Sequence, residues 1–263
     1  MFQRLSGVLF AFMLLFSAHS ALIAADSSSI LSHIEKKGQL VLGTSGNMPP
    51  MTRQLKNGTV VGFDIDLAEM MAQAMGVKLV IKVMPFNELL PALESNKVDV
   101  VLSNMTINPS RNMHVAFVGP YLTSGKCVVT KEATIANAKK ATEIDAKKPK
   151  VVVLKGSTSE TFAKVMMKKS TIISVENEEI GAKMVADDKA DALLSDMVIC
   201  QAIVSSHPEA GFIAMNSSLT YEPIGIALSG NDALFINWTD NFLKRLDQTG
   251  FLQVLGKKWL ANP

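Results

Sequence analysis

Lys97-Val-Asp-Val-Val-Leu-Ser-Asn-Met105 and Lys189-Ala-Asp-Ala-Leu-Leu-Ser-Asp-Met197 carry Lys, Asp, Leu, Ser and Met in the same register, 92 positions apart. Each reads as a short apolar strand ending in a polar residue, Asn104 in the first copy and Asp196 in the second. Open α/β sheets bind ligands in the crevice beyond the carboxyl ends of their strands. Two such ends in two similar units predict a ligand held between two lobes.

The flanking order supports a duplicated unit. Before the first copy, Leu40–Thr44 is strand-like, Ile65–Met75 helical, Leu79–Val83 strand-like and Asn87–Ser95 helical. The Ile65 helix has Asp64 where an N-cap is expected, an apolar stripe at Leu67, Ala68, Met71 and Met75, and Gly76 as a left-handed C-terminal cap. The order repeats before the second copy: Val151–Leu154, a helix from about Thr158, Thr171–Val175, and a helix over Glu178–Asp187. Short apolar runs alternating with helices predict parallel strands buried on both faces, and hence an α/β fold.

A chain of 263 residues exceeds the usual range of a single core. With 48% apolar and 19% charged residues it has material for two cores and no disordered composition. A formal charge of +2 gives no reason to expect nucleic acid, and the basic stretch Lys139–Lys150 lacks the aromatic residues that stack bases. Residues 1–25 read as a secretory signal: Arg4 opens it, Val8–Ala18 is its uncharged centre, and Ala24 or Ala25 is the expected last residue removed. The mature chain is thus expected to be soluble and exported, without a cofactor. Cys127 is placed near a lobe boundary and Cys200 on a helix of the other lobe, which argues against a bridge without settling the pairing. His33, His114 and His207 lack metal-ligand spacing.

The most specific polar chemistry lies in Asn104-Met-Thr-Ile-Asn-Pro-Ser-Arg111. The loop offers carbonyls and the Thr106 hydroxyl, and arginine presents a fork of donors matched to a carboxylate. In the other half, Gly156, Ser157 and Thr158 sit between a strand and a helix, where free amides favour an anion. Arg111 and the Ser157/Thr158 turn can grip one carboxylate, with Asp196 facing an ammonium: the outline of an α-amino acid. Each element has a plainer reading, with Arg111 on the surface and Ser157 and Asp196 as helix N-caps.

The sequence also resembles the periplasmic solute-binding proteins of polar amino acid ABC transporters (bacterial extracellular solute-binding proteins, family 3), from about Gly38 to Leu260. Its marks are Gly38–Thr44, Val61-Gly-Phe-Asp-Ile-Asp-Leu67, Thr106–Arg111, Gly119-Pro-Tyr121, Lys155-Gly-Ser-Thr158, and Gly250-Phe-Leu252 followed by Trp259. The resemblance implies a bilobal periplasmic-binding-protein fold, two parallel-sheet lobes joined by a two-strand hinge near Lys126–Lys131 and Thr220–Ile224. Residues 26–127 and 223–263 are then the first lobe and 128–222 the second. It further implies Thr106, Arg111 and Thr158 on the ligand carboxylate, and the Asn104 carbonyl, Thr106 and Asp196 on its ammonium. Met105 and Ser157 belong to the same loops and are expected at the ligand, and the resemblance implies a monomer in the periplasm whose partner is an ABC permease.

The chain departs from the family after its first strand, where Ser45, Met48, Pro49, Pro50 and Met51 stand in place of an acidic residue and an aromatic. Met48 and Met51, with Phe86, read either as a soft apolar wall of the site or as core, and the lost charge predicts a ligand with a neutral side chain. Two functions are compatible with this reading: a transport receptor without chemistry, and a cyclohexadienyl dehydratase-like enzyme on the same scaffold. The enzyme needs a placed acid or base, for which Glu88, Glu160 and Glu222 are available.

Overall fold

The computed structural model describes residues 29–260; the signal segment falls outside them. The strands are β1 (Gln39–Thr44), β2 (Asn47–Met48), β3 (Thr52–Gln54), β4 (Val60–Val61), β5 (Lys78–Val83), β6 (Val100–Val101), β7 (Ala116–Ser124), β8 (Lys126–Thr130), β9 (Lys150–Leu154), β10 (Thr171–Val175), β11 (Ala192–Asp196), β12 (Ile213–Ala214) and β13 (Glu222–Leu228). They form two five-stranded sheets, ordered β5-β1-β6-β13-β7 and β10-β9-β11-β8-β12, with β2, β3 and β4 as a small ribbon beside the first.

The duplication in the sequence is visible in these orders. The repeated segments supply β6 and β11, each the third strand of its sheet, beside β1 and β9. Those three strands per sheet run parallel, as their apolar runs predict. The other two do not: β13 pairs antiparallel with β6 and β7, and β8 with β11 and β12. The sheets are therefore mixed rather than all-parallel. The chain runs out of β7 directly into β8 across Gly125, with no helical crossover to restore parallel direction.

Burial follows the sheet order. Leu40, Leu42, Val100, Val101, Ile226 and Ala227 are fully buried at the centre of the first sheet, as are Val151, Val152, Val153, Leu193, Leu194 and Val128 in the second. Each aliphatic side chain removed from water contributes about 1.5–3 kcal/mol, so the lobes are held by their own sheets and the space between them is free to serve a ligand. The edge strand β5 carries exposed Lys78 and Lys82, charges that discourage pairing with another chain.

Three expectations change. Lys126 and Cys127, assigned to the first lobe by sequence, pair in the second sheet opposite Asp196 and Ser195. Cys127 and Cys200 therefore share one lobe, both buried and free, with the Cys127 thiol directed at the Val128 and Met215 carbonyls; a bridge between them would not span the hinge, so the argument against one fails on geometry. Asp64 is not a cap: the helix Phe63–Met75 starts two residues earlier than expected and its N-cap is Gly62. Gly76 closes that helix in the left-handed conformation, as expected.

Gly62 has φ 142°, and a Cβ there would lie 2.2 Å from the Met51 carbonyl oxygen. Gly62→Ala should cost more than about 2 kcal/mol and lower the melting temperature by roughly 4–8 °C. A thermal melt matching wild type would show that the ribbon and helix start do not need this close approach.

Candidate functional site

The two polar ends of the repeat meet. Asn104 Nδ2 donates to Asp196 Oδ2 at 2.7 Å, one lobe to the other, and both residues are buried. Asn104 is held for this contact in a left-handed conformation, φ 50°, by its backbone N–H donating to Asp64 Oδ2 at 2.7 Å. Asp64 also accepts from the Tyr121 hydroxyl at 2.7 Å, which ties the site to the strand leading into the hinge. Asp196 precedes the helix Met197–Ser206 but makes no side-chain cap to it. Its carboxylate turns into the cleft, so the capping reading of Asp196 does not hold.

On the second lobe's side Asp196 Oδ1 takes the ammonium of Lys126 at 2.5 Å, and Lys126 lies 3.4 Å from Glu222 Oε2. Lys126 is 1% exposed, a buried cation compensated by two carboxylates. Glu222 accepts from Thr158 Oγ1 at 3.0 Å and from Thr220 Oγ1 at 2.8 Å, while the Thr106 and Thr158 hydroxyls stand 3.3 Å apart across the cleft. Arg111 completes the circuit: it donates to the Thr106 carbonyl at 2.8 Å and to the Gly156 carbonyl of the facing lobe at 3.2 Å, with its guanidinium 5.7 Å from the centre of the Phe86 ring. Burial pulls Arg111 down to about 10, partly opposed by the charges of Asp196 and Glu222.

The structure thus brings together Asn104, Thr106, Arg111, Thr158, Asp196 and Phe86. Ser157, Met105 and Met48 do not join them by side chain. The Ser157 hydroxyl accepts from Glu160 N–H as an N-cap and donates to the Leu154 carbonyl. Met105 packs in the core and its carbonyl takes the Gly225 N–H, and Met48 and Met51 are core residues at 3% and 0% exposure. Of the acids considered for catalysis, Glu160 caps Gly156 and pairs with Lys164, and Glu88 is exposed. Lys126 and Glu178 are the site residues the sequence reading passed over. No local signal marks Lys126, because a lysine at the start of a strand reads equally well as a surface residue.

The cleft carries two cavities. One of about 650 Å³ is lined by Asn108, Arg111, Gly156, Ser157, Thr158 and Phe162. The other, of about 700 Å³, lies between the ribbon and the second lobe, with Asn47, Arg53, Glu178, Val198 and Trp259 on its walls. Asn104, Asp196 and Lys126 line neither, being packed against one another. Gly156 abuts Asn87 of the first lobe so closely that a Cβ would lie 2.7 Å from that of Asn87.

Residues 40–262 match the family described as bacterial extracellular solute-binding proteins, family 3. The chain belongs to that family. It is 27% identical to the cyclohexadienyl dehydratase of Pseudomonas aeruginosa, over 91% of each chain. It is 30% identical to the arginine-binding extracellular protein ArtP of Bacillus subtilis, over 92% of this chain and 93% of that one. A solved ancestral amino acid-binding protein, described as a precursor of cyclohexadienyl dehydratase, superposes with a TM-score of 0.80 at 33% identity, covering 88% of this chain and all of that one. This family 3 protein accordingly has the bilobal α/β fold of the periplasmic amino acid-binding proteins.

Two buried carboxyls give the family 3 site a pH signature. Burial pushes Asp64 up to about 7 against its bonds from Tyr121 and Asn104, and Glu178 up to about 7 against its bond from Ser195. A carboxyl whose folded value is raised stabilises the fold fully below its unfolded value near 4 and loses that contribution as pH rises through 7. Stability should fall from pH 5 to pH 8, with Asp64 supplying on the order of 2 kcal/mol of the change. Urea unfolding of Asp64→Asn at the two pH values should show a markedly shallower fall. An unchanged slope would remove Asp64 as its source.

Proposed function

We propose that this protein is an extracytoplasmic receptor that closes its two lobes on a small amino-acid-type carboxylate with a neutral side chain and presents it to an ABC permease. The observation that carries the reading is the Arg111–Thr106–Thr158 cluster, drawn from both lobes, whose guanidinium and hydroxyls converge where a carboxylate can be held. Ligand binding across such a cleft favours closure, because contacts from both lobes exist only in the closed state. Residues 1–25 serve as the export signal, removed after Ala24 or Ala25; the chain up to β7 and from β13 onward forms one lobe, and β8 to β12 the other.

The neutral side chain is supported by what surrounds the cleft on the first lobe. Ser45, whose hydroxyl accepts from Ser103, stands where an acidic residue is common in the family, and Arg53 lines the larger cavity. A cationic ligand side chain would meet that arginine and lack an acidic partner on the ribbon.

Calorimetry tests the carboxylate grip. Removing one partner of a buried, hydrogen-bonded charge costs about 2–5 kcal/mol, so Arg111→Ala should weaken binding by roughly 1.5–3.5 orders of magnitude while the protein stays folded. Affinity within about threefold of wild type would place the carboxylate elsewhere. In a thermal-shift panel, neutral ligands should raise the melting temperature more than arginine or lysine; a shift with arginine alone would reverse the side-chain assignment.

A second reading, a dehydratase-like enzyme, is favoured by one observation. Glu178 is a buried carboxyl raised to about 7 that borders the cleft near Lys126 and Asp196, as general acid catalysis requires. Incubation with a cyclohexadienyl carboxylate, followed by ultraviolet absorbance of an aromatic product, distinguishes the two.

A further inference from the structure

We infer that Lys126 sets the ligand's α-substituent, making this a site for 2-hydroxy carboxylates in preference to 2-amino carboxylates. The inference rests on the carboxylate grip proposed above and concerns the atom next to that carboxylate.

In a clamp that holds an amino acid, a carboxylate must be free to face the ligand ammonium. Asp196 is the residue in position to do so, and it is not free. Its Oδ1 is held by the Lys126 ammonium at 2.5 Å and its Oδ2 by Asn104 Nδ2 at 2.7 Å. Lys126 cannot readily withdraw, being 1% exposed, with Glu222 Oε2 at 3.4 Å as its second partner and its backbone N–H bound to Thr220 Oγ1. An incoming ammonium would be set beside a fixed ammonium, with Arg111 as a further cation across the cleft. Like charges at such range repel strongly in a site shielded from water. A neutral α-substituent avoids that repulsion.

The site also specifies whether that neutral group should donate or accept. Asn104 must present its amide nitrogen to the Asp196 carboxylate, which accepts only, so the orientation of the amide is fixed and its Oδ1 faces the other way. That Oδ1 is buried and has no hydrogen-bond partner among the described residues. It needs a donor. A hydroxyl supplies one without charge, whereas a ketone oxygen supplies none. Carboxylate to Arg111, Thr106 and Thr158, with hydroxyl to Asn104 Oδ1, describes a 2-hydroxy acid.

The test uses matched trios on one carbon skeleton with the full mature protein: leucine, 2-hydroxy-4-methylpentanoate and 4-methyl-2-oxopentanoate, and likewise phenylalanine, 3-phenyllactate and phenylpyruvate. Calorimetry on wild type should show the hydroxy acid bound at least tenfold more tightly than the amino acid and more tightly than the oxo acid. Lys126→Gln keeps a hydrogen-bond donor to Asp196 and removes the positive charge, so the hydroxy-to-amino preference should fall at least tenfold or invert. If wild type binds the amino acid as tightly as the hydroxy acid, and Arg111→Ala abolishes that binding, the assignment to Lys126 is overturned while the receptor reading stands. If no member of either trio binds, both fall. A Lys126→Gln protein that folds and leaves the wild-type ratio unmoved also overturns the role of Lys126.

Discussion

The Asp196 carboxylate is the point on which the arrangement turns. A buried charge is tolerated only when it is paired and hydrogen-bonded, and Asp196 draws its partners from three parts of the chain: Lys126 at the first crossing, Asn104 of the opposite lobe and, through Lys126, Glu222 at the second crossing. One compensation requirement therefore fixes the register of the lobes, the position of the hinge strands and the electrostatics of the cleft together. The Arg111 side chain closes the same circuit from the other end by bonding to carbonyls of both lobes.

The backbone around this circuit is arranged to make the close approaches possible. The left-handed turn at Asn104 is held by Asp64, and Asp64 is placed by a helix whose first turn depends on the unusual dihedral of Gly62 against Met51. At the crossings, Gly125 leaves so little room that a Cβ would meet the Thr220 carbonyl oxygen at 2.3 Å, so the two strands of the hinge are packed backbone to backbone. Lobe motion must accordingly bend both crossings at once.

The repeat itself was legible in the sequence because strands buried on both faces write themselves as apolar runs, and because both copies end in a polar residue that the strand geometry carries to the same crevice. The helices Thr158–Met166 and Glu178–Ala186 and the strand Thr171–Val175 lie within a residue or so of where the pattern predicts. Lys126 was not legible, since nothing in Gly125-Lys126-Cys127 distinguishes a surface lysine from one buried between two carboxylates. Asp64 was misread for a related reason: an aspartate near a helix start has a local explanation in capping, and its actual partners, Asn104 and Tyr121, are 40 and 57 residues distant. Local patterns reveal elements, whereas the pairing of buried charges is decided by topology. The direction of β8 and β13 escaped the pattern too, because an apolar run carries no mark of whether its neighbour runs with it or against it.

The sheet orders also bear on how the chain reaches this state. β13 lies between β6 and β7, so the first lobe's sheet lacks its fourth strand, and β7 has no neighbour in it, until the last segment of the chain arrives. The second lobe's sheet draws only on the continuous stretch from β8 to β12. A chain emerging from its N-terminus can thus complete its second lobe while the first still exposes unpaired edges on β6 and β7. The lobe that begins first is finished last, and in that interval the nascent protein is most open to misassociation and most in need of a holding partner.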